Sequence, residues 1–317
     1  MARQQTICTR FILFLQCPSD NTPVNPLLLV AAPVKSAAPA AHLADLSLTQ
    51  LLLASPLENV RPRIHAEVGR YRLRLADSAQ DREAACRLRF RVFNLELGEG
   101  LESSYETGLD TDSFDAHCDH LLVEDKQEEK SSRSIVGTYR MQSGNTAASH
   151  LGYYSAQEFE LSPYEPLRPE ILELGRASID REHRTPEVLT LLWRGIAQYA
   201  GDMGLRYLMG CSSLTSRKPA EGWEMYRQLE HYRVSPEFAT CPTDAYVCPH
   251  DSDPAKRTAP DAVRVPKLLK TYLAIGARIA APPAWDRAFG TIDFLTLLDL
   301  KLLSSAARNR FLAPLTQ

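Results

Sequence analysis

Four groups of residues in this 317-residue chain have types and spacings suited to chemistry. The first is Glu173 and Arg176, three apart in a strand-like run. In a regular strand such residues face opposite sides, so acting together requires a bulge. The alternative is a structural Glu–Arg ion pair, because buried charges are seldom kept without partners. The second is Arg181-Glu182-His183-Arg184, between that strand and a helix announced by Thr185-Pro186-Glu187. Unpaired N–H groups at a helix N-terminus, with two arginines beside them, suit a phosphate; the plainer reading is a solvated basic loop. The third is Arg89 and Phe93, at i and i+4 on an earlier helix, followed by Asp110, Asp112 and Asp115. Together they could bracket a small zwitterion, arginine for the carboxylate and aspartates for the ammonium. The fourth is His117-Cys118-Asp119-His120. Adjacent extended residues point to opposite faces and no second pair has zinc-like spacing, so no metal is expected and a polar turn entering a strand is the simpler reading.

The elements that must position these residues follow from pattern. Tyr71-Arg72-Leu73-Arg74-Leu75 alternates apolar and basic residues as a half-buried strand does. Asp77-Ser78 offers a cap for a helix reaching about Asn94, with Ala85, Leu88 and Val92 on one face. Strand-like runs at 120–124, 134–140 and 171–179, the first two joined by the polar segment 125–133, predict an antiparallel meander. Thr185 then caps a helix with Pro186 at its first position and Val188, Leu192, Ile196, Tyr199 and Met203 at helical spacing, ending at Gly204. A strand at 206–211, helices at 221–232 and 265–275, strands at 277–280 and 294–300 and a short helix at 304–312 complete the order. Ser55-Pro56-Leu57-Glu58 reads as an early helix start.

Composition narrows the class. With 36 basic and 39 acidic residues the net charge is −3, which gives no support to nucleic-acid binding. No run approaches the roughly 18 apolar residues needed to span a bilayer. Residues 1–51 are read as a disordered, Pro/Ala-rich arm, with prolines at 18, 23, 26, 33 and 39 and no glycine before residue 45. A signal peptide is the rival reading, but Phe11–Leu15 is a short apolar core with no prompt small-residue cleavage site. Seven cysteines without a Cys-x-x-Cys pair do not form a disulfide framework and suit a reducing, cytoplasmic setting.

Arg87-Leu88-Arg89-Phe90-Arg91-Val92-Phe93, Asp112-Ser113-Phe114-Asp115-Ala116-His117-Cys118-Asp119-His120-Leu121, Val136-Gly137-Thr138-Tyr139-Arg140, Glu173-Leu174-Gly175-Arg176 and Leu192-Trp193-Arg194-Gly195-Ile196 follow one known order and spacing. In these, and in Tyr272-Leu273-Ala274-Ile275-Gly276-Ala277 and Pro283-Ala284-Trp285-Asp286, the chain resembles the hemolysin-like branch of the GNAT acyltransferases over about residues 52 to 312. Within it the likeness is to the ornithine-acyl-carrier-protein N-acyltransferases, which make lyso-ornithine lipid.

The resemblance implies a single α/β (α+β) domain over 52–317, with a mixed, mostly antiparallel central sheet flanked by helices. On the related acyl-homoserine lactone synthase skeleton, Arg89, Phe93, Asp112, Asp115, Arg140, Glu173 and Arg176 fall on site positions. Glu173 is then the first choice of base and Asp115 the next. Asp110, Asp112 and Asp115 would hold the substrate's cationic groups, and Arg89 or Arg140 its carboxylate. Arg176, Arg181, Arg184 and Thr185 would hold the donor's phosphate. The segment 181–186 lacks the Gly-x-Gly/Ala element that wraps coenzyme A in common GNAT enzymes. That fits acyl-carrier protein with its phosphopantetheine arm as donor and partner, with no permanently bound cofactor.

Cys118 and Cys211 raise an acyl-cysteine route, but neither has a recognisable base beside it, so direct transfer is favoured. The apolar C-terminal third is expected both to form core and to line an acyl slot. Peripheral contact with the inner membrane would suit product release. Another small amine, or a membrane-active hemolysin-like role, are the alternatives; against lysis, no long amphipathic segment is present.

Overall fold

Apolar residues on every second position make strands that bury one face, and those on every third or fourth make helices that cover it. The computed structural model describes residues 61–128, 134–250 and 262–311. The arm at 1–51 and the helix start at Ser55 lie outside the described residues.

Strands β1 (His65–Val68) and β2 (Tyr71–Leu75) form a hairpin; β1 has too few residues for a pattern to show in the sequence. Helix α1 (Ala79–Phe90) starts at Ser78, whose Oγ accepts from the Asp81 N–H at 3.1 Å. Where a continuous α-helix is predicted to about Asn94, Arg91–Leu97 instead forms a π-turn that stops at left-handed Gly98 (φ 66°). Such wide turns redirect side chains, and Phe93 here meets Phe289 edge-on at 5.5 Å.

The predicted meander is present as β3 (Asp119–Asp125), β4 (Ile135–Ser143) and β5 (Ile171–Ile179), each antiparallel to the one before. Thr185 caps α2 (Pro186–Asp202), accepting from the Val188 N–H. Val188, Leu192, Ile196 and Tyr199 of α2 are buried with Leu73, Leu121 and Val123 of the sheet, each contributing roughly 1.5–3 kcal/mol. After α2 the chain returns as β6 (Tyr207–Leu214), parallel to β5.

Then come α3 (Pro219–Gln228), α4 (Lys267–Ile275), β7 (Arg278–Ile279), β8 (Ala284–Asp286), β9 (Thr291–Asp299) and α5 (Ser305–Phe311). The segment Pro282–Asp286, read as a connector, contributes β8 because Ala284–Asp286 pairs with Thr291–Asp293 of β9. The sheet runs β1-β2-β3-β4-β5-β6-β9-β7, with β8 also on β9. It is mixed and mostly antiparallel, as expected.

Among the described strands, one pair, β5 and β6, runs parallel, and this junction shapes the site. Strands β5 and β6 pair only over Ile171–Glu173 and Tyr207–Met209, then part. Gly210 sits at that parting, and a Cβ there would lie 2.1 Å from the Leu174 carbonyl oxygen.

Candidate active site

The irregularity expected between Glu173 and Arg176 is present. From Thr138↔Ser178 to Arg140↔Gly175 the register advances two residues on β4 against three on β5. Arg176 lies at this bulge with φ 51°, a left-handed conformation rare outside glycine. Its guanidinium reaches Asp112 Oδ2 at 3.1 Å and Asp110 Oδ1 at 3.3 Å, and lies over the rings of Tyr154 and Phe289. Among the described residues no ion pair joins Glu173 to Arg176, so the simple Glu–Arg pair is not what the strand builds.

The arginines and aspartates read as a zwitterion bracket are instead paired with one another. Arg89, 1% exposed, donates to Asp110 Oδ1 at 2.7 Å and to both oxygens of Asp115 at 2.7 and 2.9 Å. Arg140 donates to Asp112 at 2.6 Å and to Asp115 at 3.2 Å. Asp112 and Asp115 also form a reciprocal capping box around the 3₁₀ turn Ser113–Ala116. Burial disfavours the charge on Asp115, but the hydrogen bonds and charge of Arg89, with the charge of Arg140, outweigh it and hold the carboxyl well below the usual range. A carboxylate so held is a poor proton acceptor, and the geometry gives Asp115 a structural task rather than that of base.

Glu173 is different. It is buried, and its two oxygens accept the backbone N–H groups of Tyr154 (2.9 Å) and Ser155 (2.8 Å), at the start of the 3₁₀ turn Tyr154–Gln157. Burial raises its pKa above the ordinary value, against those N–H groups and the charge of Arg140. Each oxygen keeps a second lone pair, so the group can take a proton without leaving its cradle.

The expected phosphate loop is brought only partly to the site. Arg184, Thr185 and Pro186 line the main cavity. Arg184 also donates to both oxygens of Glu96 at 2.6 and 2.7 Å, and Thr185 Oγ1 is occupied as the cap of α2. Arg181, in the 3₁₀ turn Arg181–His183, is exposed and lies outside the cavity lining. Arg176, expected beside a donor phosphate, lines the cavity with its guanidinium turned to Asp110 and Asp112.

His117-Cys118-Asp119-His120 disperses as alternation requires. His117 stacks on His150, Cys118 bonds Gln142, Asp119 accepts from Arg61 and Tyr199, and His120 contacts the Asp115 carbonyl. Burial pushes the Cys118 thiol up to about 12 and that of Cys211 well above its usual value, so neither is poised as a nucleophile.

All of this surrounds a cavity of about 740 Å³ at the parting of β5 and β6. Its lining includes the apolar Leu174, Leu189, Trp193, Leu208, Leu268 and Tyr272, together with Phe93, Arg140, Glu173 and Arg176. The lining also includes Glu158, Asp286 and Asp293, buried carboxylates whose oxygens lie within 4.8 Å of one another and whose spacing suits a cation. Sequence reasoning missed them. The signal was Asp293 within the apolar run Thr291-Ile292-Asp293-Phe294-Leu295, where a charge is costly without a purpose.

Residues 88–194 match the acetyltransferase (GNAT) domain family. The chain is 33% identical over 268 residues to an L-ornithine N(alpha)-acyltransferase of Brucella abortus (strain 2308), covering 78% of this chain and 93% of that protein. It is also 33% identical to that of Rhizobium meliloti (strain 1021), covering 82% and 88% respectively. Among solved structures, the acyl-homoserine lactone synthase LasI aligns with a TM-score of 0.44 at 11% identity, over 78% of this chain and 98% of that one. On the strength of the two relatives, the chain belongs to the L-ornithine N(alpha)-acyltransferase family of N-acyltransferases.

Proposed function

We propose that the enzyme moves a 3-hydroxyacyl chain from acyl-carrier protein to the α-amine of ornithine, giving lyso-ornithine lipid. The observation that carries this reading is one cavity in which buried, proton-accepting Glu173 meets an apolar arm where β5 and β6 part. The names of the relatives favour ornithine as the amine.

Ornithine arrives as an ammonium, which is no nucleophile. Glu173 removes a proton, directly or through water, and the freed nitrogen attacks the thioester carbonyl. Backbone N–H groups along the parted strand edges stabilise the oxyanion. The C–N bond forms, the C–S bond breaks, and the carrier thiol leaves with a proton. The apolar arm accepts the acyl chain. The N-terminus of α2, with Arg184 and Thr185 at the cavity and Arg181 outside it, faces the phosphopantetheine phosphate; the exposed Arg184–Glu96 pair is weak enough to exchange for it. This chemistry belongs in the cytoplasm, with peripheral contact at the inner membrane for product release.

Incubating the purified protein with 3-hydroxyacyl-carrier protein and a panel of amino acids tests the reading, with N-acylornithine as the expected product. Glu173→Gln is expected to lower kcat roughly 10²–10⁴-fold while carrier binding persists. A variant that binds carrier and turns over near-normally removes Glu173 as the base. The acid limb of kcat/KM should lie above the ordinary glutamate range, since Glu173 must be ionised to act.

A further inference from the structure

Three buried carboxylates line the cavity together, and among the described residues none of them has an ion pair of its own. Glu158 is 1% exposed, Asp293 3% and Asp286 5%. Asp286 accepts from the Phe289 N–H at 2.8 Å and Asp293 Oδ2 from Thr291 at 3.2 Å. Among the described residues, Glu158 Oε2 and Asp293 Oδ1 are sealed from solvent with no donor from outside the cluster; the two carboxyl groups lie within hydrogen-bond reach of each other, and Asp293 also bonds the Ser213 side chain. The cation acting on Glu158 is Arg176, which is already engaged with Asp110 and Asp112. Buried acids are ordinarily kept only with partners, so this cluster is incomplete as it stands.

Its place in the fold says what completes it. Glu158 closes the C-terminal end of the Tyr154–Gln157 turn whose N-terminal N–H groups hold Glu173. The base and the carboxylate cluster are therefore the two ends of one short turn facing one cavity. Ornithine carries a second amine, held from its α-amine by three methylenes.

We infer that Glu158, Asp286 and Asp293 form the receptor for the side-chain ammonium of a diamino acid, and so select ornithine over neutral amino acids. This rests on the acyl-transfer reading above and names the residues that set its amine specificity. An ammonium donates up to three hydrogen bonds, enough for the two sealed oxygens and a third acceptor. Empty, the cluster is shifted toward its neutral forms, Glu158 most: burial, with the neighbouring carboxylates, raises Glu158 well above its ordinary value, and burial with the charge of Asp286 raises Asp293 to about 6. Binding of a cation favours the charged form of both.

The test compares ornithine with norvaline, the same skeleton lacking the δ-amine, in wild type, Asp293→Asn and Glu158→Gln. In wild type kcat/KM is expected to favour ornithine roughly a hundredfold, the scale of one buried charge pair. Each variant should cut that ratio at least tenfold through a higher KM for ornithine, at a Tm no lower than wild type. An unchanged ratio in folded variants overturns the inference and leaves the acyl-transfer reading standing. Selectivity abolished by EDTA and restored by Mg²⁺ overturns it in favour of a metal. If wild type acylates neither amine, the acyl-transfer reading falls. Calorimetric binding then decides the inference alone: tighter binding of ornithine than norvaline, lost in the variants, supports it, and equal binding overturns it.

Discussion

Replacing Asp115 with asparagine separates a structural carboxylate from a chemical one. Asp115 accepts from two nitrogens of Arg89 at 2.7 and 2.9 Å, from the Asp112 N–H at 2.9 Å and from Arg140 at 3.2 Å. Without its charge, Arg89 and Arg140, 1% and 4% exposed, lose a shared counter-ion. Breaking a buried pair costs about 3–5 kcal/mol, and since asparagine keeps one accepting oxygen the lower end, about 3 kcal/mol, is expected. The folded pKa of Asp115 is depressed below the unfolded value of about 3.9, so its contribution is full above that pH and fades as pH falls toward the folded value. Asparagine cannot titrate, so the gap between wild type and variant should be widest at neutral pH and shrink below about pH 4. Urea unfolding at neutral pH and near pH 3 measures both. A loss under about 1 kcal/mol, or one equal at the two pH values, refutes the structural assignment. A fully stable variant slowed a hundredfold would instead restore Asp115 as a base.

At the strand junction, Gly210→Ala should cost about 1–3 kcal/mol and lower Tm, because its Cβ meets the Leu174 carbonyl; Gly175→Ala, which meets nothing within 4 Å, is the tolerated control. Arg176→Gly should be more stable than Arg176→Ala by about 1 kcal/mol in chemical denaturation, since both lose the ion pairs but glycine accepts φ 51°. Cys118→Ala and Cys211→Ala should form no less product than wild type in a folded, purified state, and trapping with acyl donor should leave no thioester on the protein; a trapped acyl-cysteine would overturn direct transfer.

What could be read in the sequence was what local chemistry dictates. Thr185-Pro186-Glu187 placed α2 to within a residue, and the alternation of Tyr71 to Leu75 matched β2. The spacing of Glu173 and Arg176 correctly required a bulge. Elements of three or four residues, β1 and β8, are too short for periodicity to show and exist because neighbouring strands recruit them. Residue types also left open who pairs with whom: Arg89, Arg140 and three aspartates suit a ligand or each other, and only the fold shows that they satisfy each other. Asp286 and Asp293 meet across the β8–β9 hairpin, but Glu158 joins them from more than 120 residues away, so no spacing in the sequence marked the three as a group.

The order in which strands meet has a consequence for synthesis. Strand β6 shares only three register pairs with β5, while β9 covers its other edge from Tyr207↔Asp299 to Leu214↔Ile292. On a growing chain the β1–β5 meander can close as soon as it emerges, whereas β6 must wait for residues 291–299. Until then one edge of β6 offers unpaired N–H and C=O groups, the kind of edge that recruits foreign strands. The last strand among the described residues thus completes the cavity and closes the open edge of β6 in the same event.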